Sequence, residues 1–380
     1  MTIRARVLER SGAPLGDAAL ELPEPDGDLV RVRMTASGVC HSDLHQADGD
    51  WAGPLPLVLG HEGAGVVEAV GPAVRAVRPG DHVVLSWYAP CRACAECAAG
   101  RAWLCRGTRA LEHVLPDGRA TFTGSDGAPV HAFLGLGTFA EATLVPEAAA
   151  VPVDPAVPPA VAALIGCAIT TGVGAVLNTA GVRAGESAVV VGCGGVGQAI
   201  VLGLALVGAS PIVAVDLSPD RLDHARELGA THALRGDDPE LVRQVRRATR
   251  GGADHAFDAI GRPETLERLP ALVRAGGEGV IVGMPAQGTL VAIDPLALAS
   301  SGKRLVGCHY GSSVPAVDFP RLARLYLDGR LPLDRLVGRR TDLDGADRAL
   351  ADLRGGIGLR TVLEFGNDTV ATRDGRAPEG

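Results

Sequence analysis

The stretch GVCHSDLH, Gly38 to His45, sets Cys40, His41, Ser42, Asp43 and His45 within six positions. All five side chains can bind a metal, carry a proton or hydrogen-bond a substrate, and the stretch alone does not distinguish these uses. Other segments carry chemistry of their own. CRACAECAAGRAWLC places Cys91, Cys94, Cys97 and Cys105 at spacings of three, three and eight. Three sulfurs at that spacing on a turn-rich segment converge with little strain, and the fourth closes a tetrahedron. Four thiolates leave no open coordination position, which reads as structural zinc. An iron–sulfur cluster is the competing reading, because its ligand runs look alike.

A third segment, VVVGCGGVG, gives Gly192-x-Gly194-x-x-Gly197 after a strand-like run and before a helix-like one. A structural turn would suit such a triplet on its own. Here Asp216 ends the next apolar run, IVAVD, 19 residues beyond Gly197. That context is a dinucleotide fingerprint: glycines let the chain turn and approach a pyrophosphate, and the helix N-terminus attracts the phosphates. Asp216 would accept from both adenosine ribose hydroxyls and repel a 2′-phosphate, so NAD is expected over NADP. Arg221, early in the following helix, can reach the same ribose or stand as a solvated surface charge.

These sites need elements to hold them. At 380 residues two domains are expected. Apolar residues make up 47% and charged residues 21%, with net charge −8 and no basic block, so no nucleic-acid partner is expected. The N-terminus has no apolar run of signal-peptide length, and no uninterrupted run of about 18 apolar residues spans a membrane. The eight cysteines are therefore expected in a reducing cytoplasm, where clusters are more often metal ligands than disulfides. Up to about residue 150 alternating runs such as DLVRVRMTASGV read as β-structure. Beyond 168, short Val- and Ile-rich runs alternate with helical stretches, which implies a doubly wound parallel sheet of α/β class. Residues 366–380 read as a polar tail.

Gly60-His61-Glu62-x-x-Gly65-x5-Gly71-x-x-Val74 resembles the zinc signature of the zinc-dependent medium-chain alcohol dehydrogenases, including their class III and bacterial members. The cysteine lobe and the nucleotide fingerprint follow in that family's order, and the likeness runs from about residue 5 to Phe365. It implies a GroES-like β-barrel catalytic domain at 1–168, completed by 311–365, around a Rossmann NAD-binding domain at 169–310. It implies two zinc ions per chain. The catalytic one takes Cys40, His61 and Cys167, the last in LIGCAITTGVGA, and leaves a fourth position for water or substrate oxygen. Asp43 then orients the His61 imidazole, and Glu62 stands behind the metal as a transient ligand.

The same resemblance implies a proton path in which Ser42 takes the alcohol proton and His45 delivers it to solvent by way of the nicotinamide ribose. Thr171 and Val196 would pack on the two faces of the nicotinamide, with Gly195 and Val282 completing the cofactor set. His41 and Arg360 match pyrophosphate contacts. Many members carry arginine at the position of His41, which predicts weaker, pH-dependent cofactor binding here. Trp51, Trp87, Phe133 and Leu134 match the substrate channel. With three Trp in the chain, two of them there favour an apolar cleft for aromatic or medium-chain primary alcohols, while ordinary barrel core is the other reading of these aromatics. The length of Cys105–Glu141 and the place of Arg109 resemble enzymes that oxidise S-(hydroxymethyl)glutathione. The acidic residue those enzymes carry at the channel mouth is Trp51 or a neighbour here. A nicotinoprotein that retains its NAD is a further alternative, whereas a silent NAD-binding sensor is opposed by the complete ligand set. The last Rossmann strand, near KRLVGCHYG, is expected to pair with its copy in a homodimer or homotetramer.

Overall fold

A computed structural model describes residues 1–366 of the chain, so the tail reading for 366–380 lies, beyond Gly366, outside the described residues. Five strands close a small barrel in the order Thr2–Leu8, Gly16–Glu21, Phe122–Thr123, Pro129–Ala132 and Leu57–Val58. Beside it lies a sheet ordered Ala150–Pro152, His82–Leu85, Glu62–Val70, Leu29–Gly38, Arg360–Glu364 and Val337–Thr341, with Ala142–Pro146 also paired to Leu29–Gly38. Chain ends far apart in sequence therefore share one sheet. Val362 pairs with Gly38, and Gly38 pairs on its other side with Glu62. This register brings Cys40, His61, Glu62 and Arg360 to one end of the sheet.

The second layer is a six-stranded parallel sheet. Its order is His232–Arg235, Ile212–Asp216, Ala188–Val191, Ala253–Asp258, Val273–Ile281 and Arg304–Gly307. The order reverses between Ala188–Val191 and Ala253–Asp258, which opens a ligand crevice at the strand ends. The central strands are buried on both faces, so Val189, Val190, Val213 and Phe257 are almost wholly out of water. Each such side chain contributes about 1.5–3 kcal/mol.

The helical run Pro159–Thr179 ties the two sheets together. It is long and apolar enough to cross a membrane by length and composition, although Thr170, Thr171 and Asn178 interrupt its apolar residues. Of its most apolar 18-residue window 94% is buried within the protein, which makes it a core helix. Gly166 explains its close approach to the barrel side: a Cβ there would meet the Leu85 carbonyl at 2.8 Å. Residue 168, where the sequence reading divides the chain, falls inside this run.

Candidate active site

Cys40 precedes the helix His41–Asp48 as its N-cap, in extended conformation. Asp43, in the first turn of that helix, accepts from the Cys40 N–H at 2.8 Å. The same carboxylate accepts from the Gly60 N–H at 3.0 Å and from His61 Nδ1 at 3.0 Å. A helix-capping residue thus fixes both segments that carry metal-ligating side chains. Because a carboxylate only accepts, Nδ1 carries the imidazole proton and Nε2 is left with a free lone pair.

Cys167 arrives from the helix Pro159–Thr179, within a π-helical turn at Ile165–Ile169. Such a turn widens the helix by one residue per bond and is common where a side chain must be aimed. Ligating atoms of Cys40, His61, Glu62 and Cys167 all lie within 4.8 Å of one another, and all four residues are buried. His61 Nε2 and both Glu62 oxygens have no hydrogen-bond partner among the described residues. Two sulfurs, an orphaned imidazole nitrogen and a carboxylate in a dry pocket form a donor set suited to a tetrahedral zinc with one exchangeable position. Gly38 makes room for it, since a Cβ there would sit 2.1 Å from Glu62 Oε2.

Electrostatics in the cluster run in the same direction. The hydrogen bond from Cys167, aided by Arg360, pulls the Cys40 thiol well below its ordinary value, while that contact and burial push Cys167 up. Burial opposes a charge on His61, but Asp43 and Cys40 outweigh it and raise the imidazole. Burial lifts Glu62 to about 8 against the pull of Arg360, whose Nη2 stands 3.3 Å away. Arg360 also donates to the Val39 carbonyl.

In the cysteine lobe the sulfurs of Cys91, Cys94, Cys97 and Cys105 lie within 4.8 Å of one another. Backbone N–H groups of Cys91 and Gly107 donate to Cys105 Sγ at 3.1 and 3.3 Å, and that of Cys94 points to Cys91 Sγ at 3.4 Å. N–H donation from Cys97 and Arg106 brings Cys94 down to about 6, whereas burial holds Cys97 at about 12. Donors aimed at four convergent sulfurs fit a closed metal site.

At the crevice of the parallel sheet, Gly192 takes a φ of 91° and Gly197 faces it so closely that a Cβ would lie 1.7 Å from the Gly192 carbonyl oxygen. Gly194 caps the helix Gly195–Val207, whose N-terminus lies beside Arg360: a Cβ on Gly195 would meet the guanidinium at 2.9 Å. Asp216 accepts from the N–H groups of Cys193 and Ser218, which ties the glycine turn to the strand carrying the acid. Arg221 is half-buried and donates to the Gly356 carbonyl, so it is no free surface charge. Val282 is buried at the end of its strand, and Thr171 and Val196 are half-buried where their two helices cross at Gly172. His41 is exposed at the start of its helix, and the protein mass around it lowers its imidazole below the ordinary value.

Ser42 and His45, expected as the two ends of a proton path, have different neighbours. Ser42 Oγ lies 3.9 Å from Cys40 Sγ. His45 is half-buried, donates from Nδ1 to Asp50 at 2.7 Å and stacks on Trp51 at 5.0 Å. Sequence reasoning missed Asp50, although its spacing of five from His45 offered a signal. Trp51 also donates to the Pro285 carbonyl of the parallel-sheet half at 3.4 Å. A cavity of about 260 Å³ is lined by Trp87, Leu134 and Arg109, among others. Trp51 and Phe133 stand apart from it. Phe133 is fully buried and packs edge-on against His61 at 5.4 Å. The His309–Tyr310 pair was missed as well: His309 donates to the Trp103 carbonyl in the cysteine lobe, and Tyr310 donates to the Gly166 carbonyl beside Cys167.

Residues 26–155 match the alcohol dehydrogenase GroES-like domain and residues 195–328 the zinc-binding dehydrogenase domain. The S-(hydroxymethyl)glutathione dehydrogenase of Paracoccus denitrificans is 35% identical over 96% of this chain and 100% of its own length. An NDMA-dependent alcohol dehydrogenase of Amycolatopsis methanolica is 38% identical over 97% of this chain and all of its own. The crystal structure of benzyl alcohol dehydrogenase from Acinetobacter calcoaceticus superposes with a TM-score of 0.91 at 35% identity, covering 96% of this chain and 100% of that one. With both domain types in order and relatives matched end to end, this chain belongs to the zinc-dependent medium-chain alcohol dehydrogenase family and is an oxidoreductase.

Proposed function

We propose that the protein is an NAD-dependent dehydrogenase of primary alcohols with an aromatic or medium-length apolar group, holding one catalytic and one structural zinc per chain. The buried cluster of Cys40, His61 and Cys167, with His61 Nε2 left open by the Asp43 hydrogen bond, carries this reading. When bound there, zinc supplies Lewis acidity for an alcohol oxygen and NAD supplies the hydride acceptor. Two thiolates and a neutral imidazole balance a divalent charge, so the site tolerates a negative oxygen. Ser42, beside Cys40, is placed to take the alcohol proton, and His45, held by Asp50, to release it at the surface. Glu62 stands in the same buried cluster and faces Arg360, whose Nη2 is 3.3 Å from its Oε1. Asp216 favours NAD over NADP, and Arg360 with His41 faces the pyrophosphate. The division into 1–168 with 311–365 and 169–310 belongs to this reading, as does a cytoplasm reducing enough to keep the thiols free.

The substrate side rests on the match of Trp87 and Leu134 to the family's substrate channel; both line a cavity that also borders the cysteine lobe at Cys91 and Gly107. Arg109 also borders it, and this favours a thiol-adduct substrate such as S-(hydroxymethyl)glutathione as a second reading. Its guanidinium, however, is engaged by Glu112 through Nε at 3.1 Å and Nη2 at 2.5 Å, and so is not free for a substrate carboxylate. The Trp51 hydrogen bond to Pro285 joins the barrel half to the parallel-sheet half, and a contact that holds the two halves together favours a retained NAD as a further reading. The edge strand Arg304–Gly307, with exposed Leu290 and Leu296 nearby, supports pairing with a second copy. The test is metal content together with NAD-linked turnover of benzyl alcohol, hexanol and S-(hydroxymethyl)glutathione. Two zincs and a preference for benzyl alcohol are expected. One zinc or none, or no turnover of any of the three, overturns the proposal.

A further inference from the structure

His113 belongs to none of the motifs above, yet it is 4% exposed and sits beside the wall of the site. Its ring stacks on Phe133 at 5.4 Å and 28°, and Phe133 in turn meets His61 edge-on at 5.4 Å and 88°. Its Nδ1 accepts from the buried Leu134 N–H at 3.0 Å, which fixes the tautomer with the proton on Nε2. The Nε2 end is closed by Gly53, where a Cβ would lie 3.1 Å away. Both partners of this hydrogen bond have left-handed backbone, φ 61° at His113 and 51° at Leu134. Histidine tolerates that region better than most residues but leucine does not, and two such residues facing each other across one contact mark a geometry that the surroundings impose. Ring, hydrogen bond and backbone together pin one side chain to two neighbours with different duties.

We infer that His113 is a positioning residue with two outputs: through Phe133 it holds the plane of the His61 imidazole, and through the Leu134 amide it places the Leu134 side chain, which the proposed function assigns to the substrate channel. Asp43 restrains His61 at Nδ1 only, and a ring so held still tilts about that bond. The T-shaped contact with Phe133 blocks the tilt, and His113, stacked on the Phe133 ring, holds that ring in place. Leu134 directly follows Phe133 in the chain, so the bond to its N–H decides where its side chain stands beside the Phe133–His61 contact. The second output rests on the alcohol dehydrogenase reading, and the first does not.

Two variants separate the outputs. His113→Asn keeps a hydrogen-bond acceptor and tolerates left-handed backbone, but removes the ring behind Phe133. His113→Phe keeps the ring and removes the acceptor. With cobalt in place of zinc, the visible ligand-field bands of the substrate-free protein report the His61 geometry. They are expected to shift and broaden in His113→Asn, with catalytic-metal affinity down roughly tenfold, the size seen when a support of a metal ligand is lost. In His113→Phe the bands should stay as in the parent, while the kcat/KM ratio of benzyl alcohol to ethanol changes by about fivefold, which is about 1 kcal/mol. If left-handed backbone keeps His113→Phe from folding, His113→Gly, which lacks ring and acceptor, is expected to show both effects. Folded variants with parental spectra and parental substrate ratios, differing from the parent in Tm alone, overturn the inference. A parent that binds cobalt but oxidises no alcohol refutes the functional reading and leaves the spectral result to stand or fall alone.

Discussion

Replacing Asp43 by asparagine tests the frame of the catalytic cluster at one atom. The aspartate accepts three hydrogen bonds, from Cys40 N–H, Gly60 N–H and His61 Nδ1, and is fully buried. Gly60 and His61 share Oδ1, while Cys40 uses Oδ2. An asparagine that keeps its oxygen toward Gly60 and His61 must turn its NH2 toward the Cys40 N–H, donor against donor. The opposite rotamer turns the NH2 toward two donors and drives the His61 proton onto Nε2, the atom needed for the metal. The first rotamer is the less damaging. It loses one charge-assisted bond of about 1.5–3 kcal/mol and leaves a buried N–H unpaired. His61 also loses its anionic partner and becomes a weaker donor. Metal affinity at this site should therefore fall about 10–100-fold, which is about 1.4–2.8 kcal/mol. Chelator competition measures it, with the metal of the cysteine lobe as an internal control that should not change. Catalytic-site affinity within a factor of two of the parent would refute the reasoning.

Three other outcomes are expected. If His41 faces the pyrophosphate as proposed, His41→Arg adds a permanent charge there and should tighten NAD by about fivefold, read by quenching of tryptophan fluorescence, consistent with about 1 kcal/mol for a partly exposed ion contact; unchanged or weaker binding would remove His41 from the proposed phosphate site. Asp216→Asn should raise the KM for NAD and improve the NADP-to-NAD ratio of kcat/KM at least tenfold, since the ribose loses its acceptor and a 2′-phosphate loses its repulsion; an unchanged ratio counts against the assignment. Burial holds His113 at about 4 in the folded protein, whereas an unfolded histidine titrates near 6.5. The unfolded chain therefore binds the extra proton first: stability is full above pH 6.5 and lost as pH falls toward 4, by about 3 kcal/mol. Urea titrations from pH 7 to 4 should show this slope in the parent and a shallower one in His113→Asn.

Much of the site could be read from the sequence because its residues occur in short, ordered motifs. The cysteine lobe lies within 15 residues, and local chain geometry alone brings four sulfurs together. The glycine turn with Asp216 follows from strand, turn and helix taken in order, each set by local pattern. Cys40, His61 and Cys167 were reached through likeness to a family, since their separations of 21 and 106 residues carry no physical constraint of their own. The strand register that pairs Gly38 with both Glu62 and Val362, and the π-helical turn at Cys167, are what bring them together. A buried role for the 159–179 helix was equally hidden: composition describes how apolar a segment is, and only packing shows what covers it.

Within GVCHSDLH itself the sequence determined which chemical groups are present, and the helix beginning at His41 decided which way each points. Asp43 turns inward to cap Cys40 and hold His61, Ser42 stays beside the sulfur, and His45 faces Asp50 and Trp51. His113 and Tyr310 gained their places only in three dimensions. Each acts through a partner distant in sequence, Leu134 for one and Gly166 for the other, and such contacts exist only once non-local packing has set the distances.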